Sequence, residues 1–327
     1  MPQSKEYLNK VKKMLSGLGL LWVIVLFCVV MSFASPAFLS TTNFINLLIQ
    51  ATVLWTVSLG VTFVIITGGI DLSVGSVMAL SSSVGLSLIM VSGMPVFVGI
   101  MVMLAIGACF GLFNGLMVTR FGLPPMIVTL ATMVIGRGMV LIYTNSANIA
   151  PVPRLFQLVA SQRVLSIPVI VWIAIGFSII AWILLSRTVF GRSIYATGGN
   201  KVAARLAGIK TNSVVTMAYV ISGIAAALAG FLLTSRLESA GPNAGIGIEL
   251  NVIAAVVIGG SSLFGGRGTI FGTILGVALI TLVSNAINLL GVPPAWDQLV
   301  RGSVILIAVI LDVYRVKYVK HMDSKRA

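Results

Sequence analysis

Asp71 is the side chain with the most chemistry to offer. It lies in TGGIDLSVGS, residues 67–76, between the apolar runs LWTVSLGVTFVII and VMALSSSVGLSLIM, in a chain with seven acidic residues. A carboxylate at membrane depth costs several kcal/mol, so it is a functional candidate by default. Two roles fit. Gly68 and Gly69 end one helix, and Asp71 or Ser73 can cap the next by accepting a bond from its free N–H groups. A negative charge there also suits the positive helix end. Alternatively Asp71 stands directly in a transport pathway. The roles are compatible, because a backbone break at membrane depth is tolerated only where it is packed in protein or lines a polar cavity.

A second polar concentration is SRTVFGRSIYATGGNKVAARLAGIKTN, residues 186–212. Gly198 and Gly199 followed by Asn200 give a turn and an N-cap, and KVAARLAGI is predicted as a short helix ending at Gly208. Its apolar face is Val202, Leu206 and Ile209, with Lys201 and Arg205 pointing elsewhere. Such a helix is either a solvated or lipid-facing loop element or a docking surface for the groove of a partner. Charge alone does not separate the two. RLESAGPNAGIGIEL (236–250) carries Glu238, Asn243 and Glu249, and NLLGVPPAWDQ (288–298) carries Trp296 and Asp297. With Arg154 and Arg163 they could receive an extracytoplasmic partner or a polar solute, although Trp296 alone reads more simply as a membrane-interface anchor. Arg137 and Arg301 fall inside apolar runs and require partners or snorkelling positions. Asp297, four residues before Arg301, could serve the latter.

No G-x-x-x-x-G-K-[ST] phosphate loop occurs, and GGSSLFGGRGT at 259–269 does not match one. No H-E-x-x-H, G-x-S-x-G or Cys/His cluster occurs either. Cys28 and Cys109 sit in apolar runs and imply no disulfide framework, and the single histidine, His321, lies in a charged tail. No catalytic residue, metal site or cofactor is therefore expected in this chain. One acid well inside the spans is thin equipment for an ion-coupled carrier, which is the alternative reading.

The elements that must position these residues are membrane helices. Of 327 residues, 58% are hydrophobic and 9% charged, whereas a soluble domain carries roughly a quarter charged residues. Ten spans are predicted, at 17–35, 44–66, 74–92, 95–119, 124–144, 167–186, 213–234, 249–264, 269–290 and 297–314, with tails at 1–16 and 315–327 and an internal polar loop at 187–212. The first apolar run is read as an uncleaved span, not a signal peptide. The net charge of +14 fits basic residues at cytoplasmic span ends and calls for no nucleic acid. With the N-terminus inside, sixteen of the twenty-one basic residues fall on the cytoplasmic side and three on the other, so both termini are expected to be cytoplasmic. Gly107, Gly111 and Gly115, and Gly268, Gly272 and Gly276, form small-residue stripes that pack helices within one subunit or, alternatively, seam a dimer. VIITGGIDLSVG (64–75) and AVVIGGSSLFGG (255–266) echo one another and are read as two uses of one helix-breaking solution.

TGGIDLSVGS, FGRSIYATGGNKVAARLAGI, NVIAAVVIGGSSLFGGRGTIFGT and AINLLGVPPAW occur in this order. Together they resemble the membrane permeases of sugar-importing ABC transporters, in particular the ribose-type branch, from about residue 30 to about residue 314. The resemblance implies an all-α polytopic fold similar to the vitamin-B12-type importer permease, with about ten helices in the bacterial inner membrane. It also implies two permease subunits, with a homodimer expected. A separate ATPase, which holds the ATP and Mg, would dock on the cytoplasmic side, and a periplasmic sugar-binding protein on the other. The coupling segment maps onto Gly191, Arg192, Gly199, Asn200, Lys201, Ala204, Arg205 and Gly208, and the glycine-rich break onto Gly68, Gly69, Asp71 and Ser73. Glu238, Asn243, Glu249 and Trp296 are the candidates for docking the binding protein. The sugar is left open among ribose, xylose, arabinose, galactose, allose and autoinducer-2.

Overall fold

A computed structural model describes residues 19–293 together with 295, 296, 298, 299, 302, 303, 306 and 310. Twelve helices are set out among them: α1 Gly19–Ala34, α2 Thr41–Ile66, α3 Val74–Met90, α4 Val96–Arg120, α5 Pro125–Thr144, α6 Arg154–Ser161, α7 Val169–Arg187, α8 Val189–Gly199, α9 Lys201–Leu206, α10 Thr211–Leu237, α11 Ile248–Ile258 and α12 Ile270–Leu289. A two-residue antiparallel hairpin, β1 Arg163–Val164 and β2 Ile167–Pro168, joins α6 to α7. Long apolar segments become helices because only a helix satisfies its own backbone in lipid. Local signals set where they start. Ser40 accepts a bond from Asn43 N (3.2 Å) and Thr269 one from Gly272 N (3.0 Å), while Pro95, Pro124 and Pro168 precede α4, α5 and α7.

Six helices, α2, α4, α5, α7, α10 and α12, are long and apolar enough to cross a membrane. The chain is thus an all-α polytopic membrane protein. Nine of the ten expected spans coincide with helices, but α1, α3 and α11 are shorter. The eighth, expected at 249–264, shrinks to the 11 residues of α11. At 1.5 Å per residue this is about half of a hydrocarbon core, so α11 reaches only part-way through. Most of the tenth expected span, and both tails, lie outside the described residues.

The bundle is built around α2 and α10. In the most apolar stretch of α2, 78% of residues are buried, against 22% in α4, so α2 runs through the protein and α4 turns most of its surface outward. Both glycine stripes pack within the chain. A Cβ on Gly107 would collide with Gly223 O, and one on Gly111 with Tyr219 O, so α4 and α10 meet backbone to backbone. Gly272 and Gly276 press in the same way on Gly259 and Ala255, drawing α12 against α11. Such close approach recovers the dispersion energy that holds helices together in lipid. Polar pairs add specific ties. Asn43 and Asn285 exchange amide hydrogen bonds of 3.1 and 2.8 Å, and Thr62 and Thr273 share one of 2.8 Å.

At one end of the bundle Phe156 of α6 is fully buried and meets Phe231 of α10 edge to face at 4.8 Å. The other end carries α8, α9 and the basic residues Arg120, Arg187, Arg192, Lys201, Arg205, Lys210 and Arg267. We call it the basic end.

Candidate functional site

The break after α2 is a complete Schellman motif. Gly68 takes φ +81°, Gly69 N donates to Val64 O (3.0 Å) and Gly68 N to Ile65 O (2.9 Å). The chain then crosses to α3 through Asp71, which is only 1% exposed. Its Oδ1 accepts from Ser73 N (3.0 Å) and Ser73 Oγ (2.6 Å), and its Oδ2 accepts from Ser222 Oγ (2.7 Å) on α10. Ser73 Oγ in turn accepts from Asn114 Nδ2 (2.9 Å) on α4. Ile70 O receives Thr129 Oγ1 (3.2 Å) from α5 and Tyr219 OH (3.3 Å) from α10. Three helices, α4, α5 and α10, therefore converge on residues 70–73. The capping expected from the sequence takes another form. Ser73 is the N-cap of α3 but makes no side-chain bond to the first turn, and Asp71 bonds the N–H of the cap residue itself, holding the chain in an Asx turn.

The second break, after α11, repeats this solution shifted by one residue. Gly260 takes φ +93°, Ser261 N donates to Val256 O (3.1 Å) and Gly260 N to Val257 O (2.9 Å). The two breaks touch: Gly266 N donates to Ile66 O at 2.8 Å. The C-terminal turn of α8 closes over this contact. A Cβ on Gly198 would collide with Ile66 O and approach Gly266 N to 2.7 Å, and one on Gly265 would lie 2.8 Å from Gly198 O. Tyr195 OH, also on α8, donates to Gly268 O (2.7 Å). Burial pushes its phenol pKa up, so it stays a donor. Three glycine-rich segments that are distant in sequence thus meet with backbone against backbone at Ile66, Gly198, Gly265 and Gly266.

The sequence placed a turn at Gly198–Gly199, but α8 is helical through Gly199. Its pair of glycines serves close packing, and the turn follows at Asn200. Thr188 caps α8, its Oγ1 accepting from Gly191 N (3.1 Å), and a Cβ on Gly191 would meet Leu185 O. The expected cap of α9 is present, with Asn200 Oδ1 accepting from Val202 N (3.0 Å) and Ala203 N (2.9 Å), and α9 closes at Gly208 with φ +84°. Val202 and Leu206 are strongly exposed, and Arg192, Lys201 and Arg205 are exposed beside them. Ile209, expected on the same apolar face, packs partly into the bundle, and Ala204 is buried. Ala204 therefore anchors α9 and has no exposed surface to offer a partner.

At the opposite end, the segment expected as an outer loop folds inward. The carbonyl of Gly245 lies against Gly75 at the start of α3, and Ile149 and Ala240 bridge (N···O 2.7 and 3.0 Å). Arg137, half-buried in α5, finds its partners here: Nη1 donates to Pro242 O and to Ala244 O (3.0 Å for the latter). Glu249 is half-buried beside Gly75, close enough to Arg137 to act on its charge, so it is not part of the exposed surface that the sequence suggested. Glu238, Asn243 and Trp296 are exposed. The suggested pair Asp297–Arg301 lies outside the described residues. The sequence missed the Arg137 contacts, and the only signal for them was that an arginine inside a span demands carbonyls or acids.

The family model described as branched-chain amino acid transport system / permease component matches residues 43–309. The chain is 45% identical over 286 residues to the ribose import permease protein RbsC of Bacillus subtilis (strain 168), covering 87% of this chain and 88% of that one. It is 40% identical to the ribose import permease protein RbsC of Haemophilus influenzae, over 89% of this chain and 91% of that one. It is 36% identical to the D-allose transport system permease protein AlsC of Escherichia coli (strain K12), over 90% of each. No solved structure matches it. Identity at this level over nearly nine-tenths of the chain, with a family model matching residues 43–309, places the chain in this permease family, as a ribose-type ABC sugar permease.

Proposed function

We propose that the chain is the pore subunit of an importer that moves a monosaccharide inward, driven by a separate ATPase. The observation that carries this reading is the position of the α8–α9 unit. It presents exposed apolar and cationic side chains outward at Val202, Leu206, Lys201 and Arg205, while its other side rests directly on both helix breaks. A push on α9 from a partner has a short route, through Gly198 and Tyr195, to the ends of α2 and α11. Close packing of backbone on backbone at Gly198 leaves little slack to absorb such a displacement.

In this reading the basic end is cytoplasmic, as the positive-inside rule requires, the tails lie on the same side, and the chain crosses the bacterial inner membrane ten times in a fold like that of the vitamin-B12-type importers. The ATP and Mg sit on the partner ATPase and none in this chain. A second copy of the chain completes the pore. A periplasmic binding protein loaded with sugar docks on the opposite end, where Glu238, Asn243 and Trp296 are exposed. The names of the relatives favour ribose, with allose next. Asp71 argues against an independent ion-coupled carrier, since both of its oxygens are committed to internal hydrogen bonds.

The test is the double charge reversal Lys201→Glu, Arg205→Glu. Both side chains are exposed, so the chain should reach the membrane in normal amount while ATPase association, or sugar-stimulated ATP hydrolysis, falls about ten-fold or more through like-charge or lost contacts at the interface. Unchanged uptake in the double variant would overturn the assignment.

A further inference from the structure

A cleft of about 410 Å³ opens between α2, α10, α11 and α12, floored by Met78 at the start of α3 and edged by Gly245 and Ile246 of the inward-folded segment. Five polar side chains line it: Gln50, Arg236, Asn251, Thr281 and Ser284. They come from four different helices, each near the end opposite the basic one. Among the described residues Gln50, Arg236 and Asn251 form no hydrogen bond through their side chains, although all three are partly buried. Polar groups in a membrane bundle are expected to pair with one another or with backbone, and to mark a substrate route where they do not. The irregular backbone of 238–247 edges the cleft through Gly245 and Ile246.

We infer that this cleft is a sugar-binding waypoint, in which Gln50, Asn251 and Arg236 receive the hydroxyls of a neutral monosaccharide on its way through the permease. This rests on the proposed function above and goes beyond it by placing recognition inside the permease as well as in a binding protein. The chemistry fits a polyol. Each amide offers donors and an acceptor to a hydroxyl that is itself both. The guanidinium adds donors, and Met78 and Ile280 supply apolar wall for the C–H face of a ring. The size lies in the range of small-molecule pockets. Arg236 is the one charged group among the lining residues, which favours a neutral ligand over a polyanion.

The experiment uses the complete transporter in proteoliposomes, with its ATPase and binding protein and with D-ribose and D-allose as probes. Gln50→Leu and Asn251→Leu keep the size of the side chain and remove its hydrogen bonds. Each should lower sugar moved per ATP hydrolysed about ten-fold, the equivalent of one lost hydrogen bond. The ATPase stimulated by loaded binding protein should persist, and Gln50→Asn and Asn251→Gln should recover much of the transport. Leucine variants that transport like the parent overturn the waypoint and leave the permease reading intact. So do variants in which ATPase and transport fall together, because that is the pattern of a structural defect. A parent complex that moves neither these sugars nor any other monosaccharide its binding protein holds overturns the proposed function, and the waypoint with it. As a second measurement, Ser284→Cys in a chain with Cys28→Ser and Cys109→Ser should remain active and then be blocked by a membrane-impermeant thiol reagent from the sugar-entry face. Continued transport by a chain whose thiol has not reacted overturns the inference.

Discussion

Asp71 is a buried carboxylate whose two oxygens tie the break before α3 to α10. Its oxygens accept from a fixed backbone donor at Ser73 and from two hydroxyls that can rotate, Ser73 Oγ and Ser222 Oγ. This geometry makes a sharp expectation. In Asp71→Asn the amide oxygen can keep the Ser73 N–H, and the amide nitrogen can face a serine hydroxyl turned round to accept. The variant should fold and transport within a few-fold of the parent. Asp71→Ala leaves a buried N–H and two hydroxyls without their acceptor, at about 1–3 kcal/mol for each group left unsatisfied, and should yield little folded protein in detergent-phase size-exclusion profiles. A proton or cation site predicts the opposite pattern for asparagine, a folded but inactive chain, and that result would rule out a purely structural role for Asp71. The sequence made Asp71 conspicuous because acids are scarce. It could not reveal Ser222, 151 residues away, or Asn114, because a serine or asparagine in an apolar run carries no sign of which helix it will face.

Among the elements, glycine does most of the positioning. The contact of α4 with α10 has no room for a methyl group at Gly107, Gly111 or Gly223, whereas nothing lies within 4 Å of a Cβ built on Gly176. Gly223→Ala should therefore destabilise the bundle by about 1–3 kcal/mol, the usual cost of overpacking, seen as a lower melting temperature of the purified protein. Gly176→Ala, in α7, should be neutral or raise stability by up to about 1 kcal/mol through helix propensity. Equal effects at the two positions would show that the backbone approach carries no weight. The every-fourth-residue spacing of the stripes was plain in the sequence, and so were the caps at Asn200 and Gly208. The identity of the opposing helix was not. The two Schellman breaks were likewise visible as an echo, but the bond from Gly266 N to Ile66 O that joins them depends on how α2 and α11 are stacked.

For the whole molecule, the orientation proposed from charge can be tested directly. With Cys28 and Cys109 replaced by serine, a cysteine at the exposed position Val202 should react with impermeant maleimide only after the inner face is opened. One at Leu165, in the exposed turn between β1 and β2, should react in intact cells with a permeable outer membrane. Labelling of Val202→Cys from outside would invert the molecule and detach α9 from any cytoplasmic partner.

The sequence by itself determined the class of protein, the apolar helices that make up most of the bundle, the segregation of positive charge to one end, and the helix stops at Gly68 and Gly208. These are local or additive properties: apolar length, net charge of a loop, a glycine where φ must be positive. Only the tertiary structure decided which faces meet, that α11 stops part-way, that the 238–247 segment turns inward onto Arg137, and that Gln50, Arg236 and Asn251 share a cleft. The physical reason lies in the solvent. A soluble helix advertises its buried face by contrast with a polar one. In lipid the outside of a helix is as apolar as the inside, so α2, enclosed by protein, and α4, largely turned outward, read nearly alike until close packing and a few hydrogen bonds sort them.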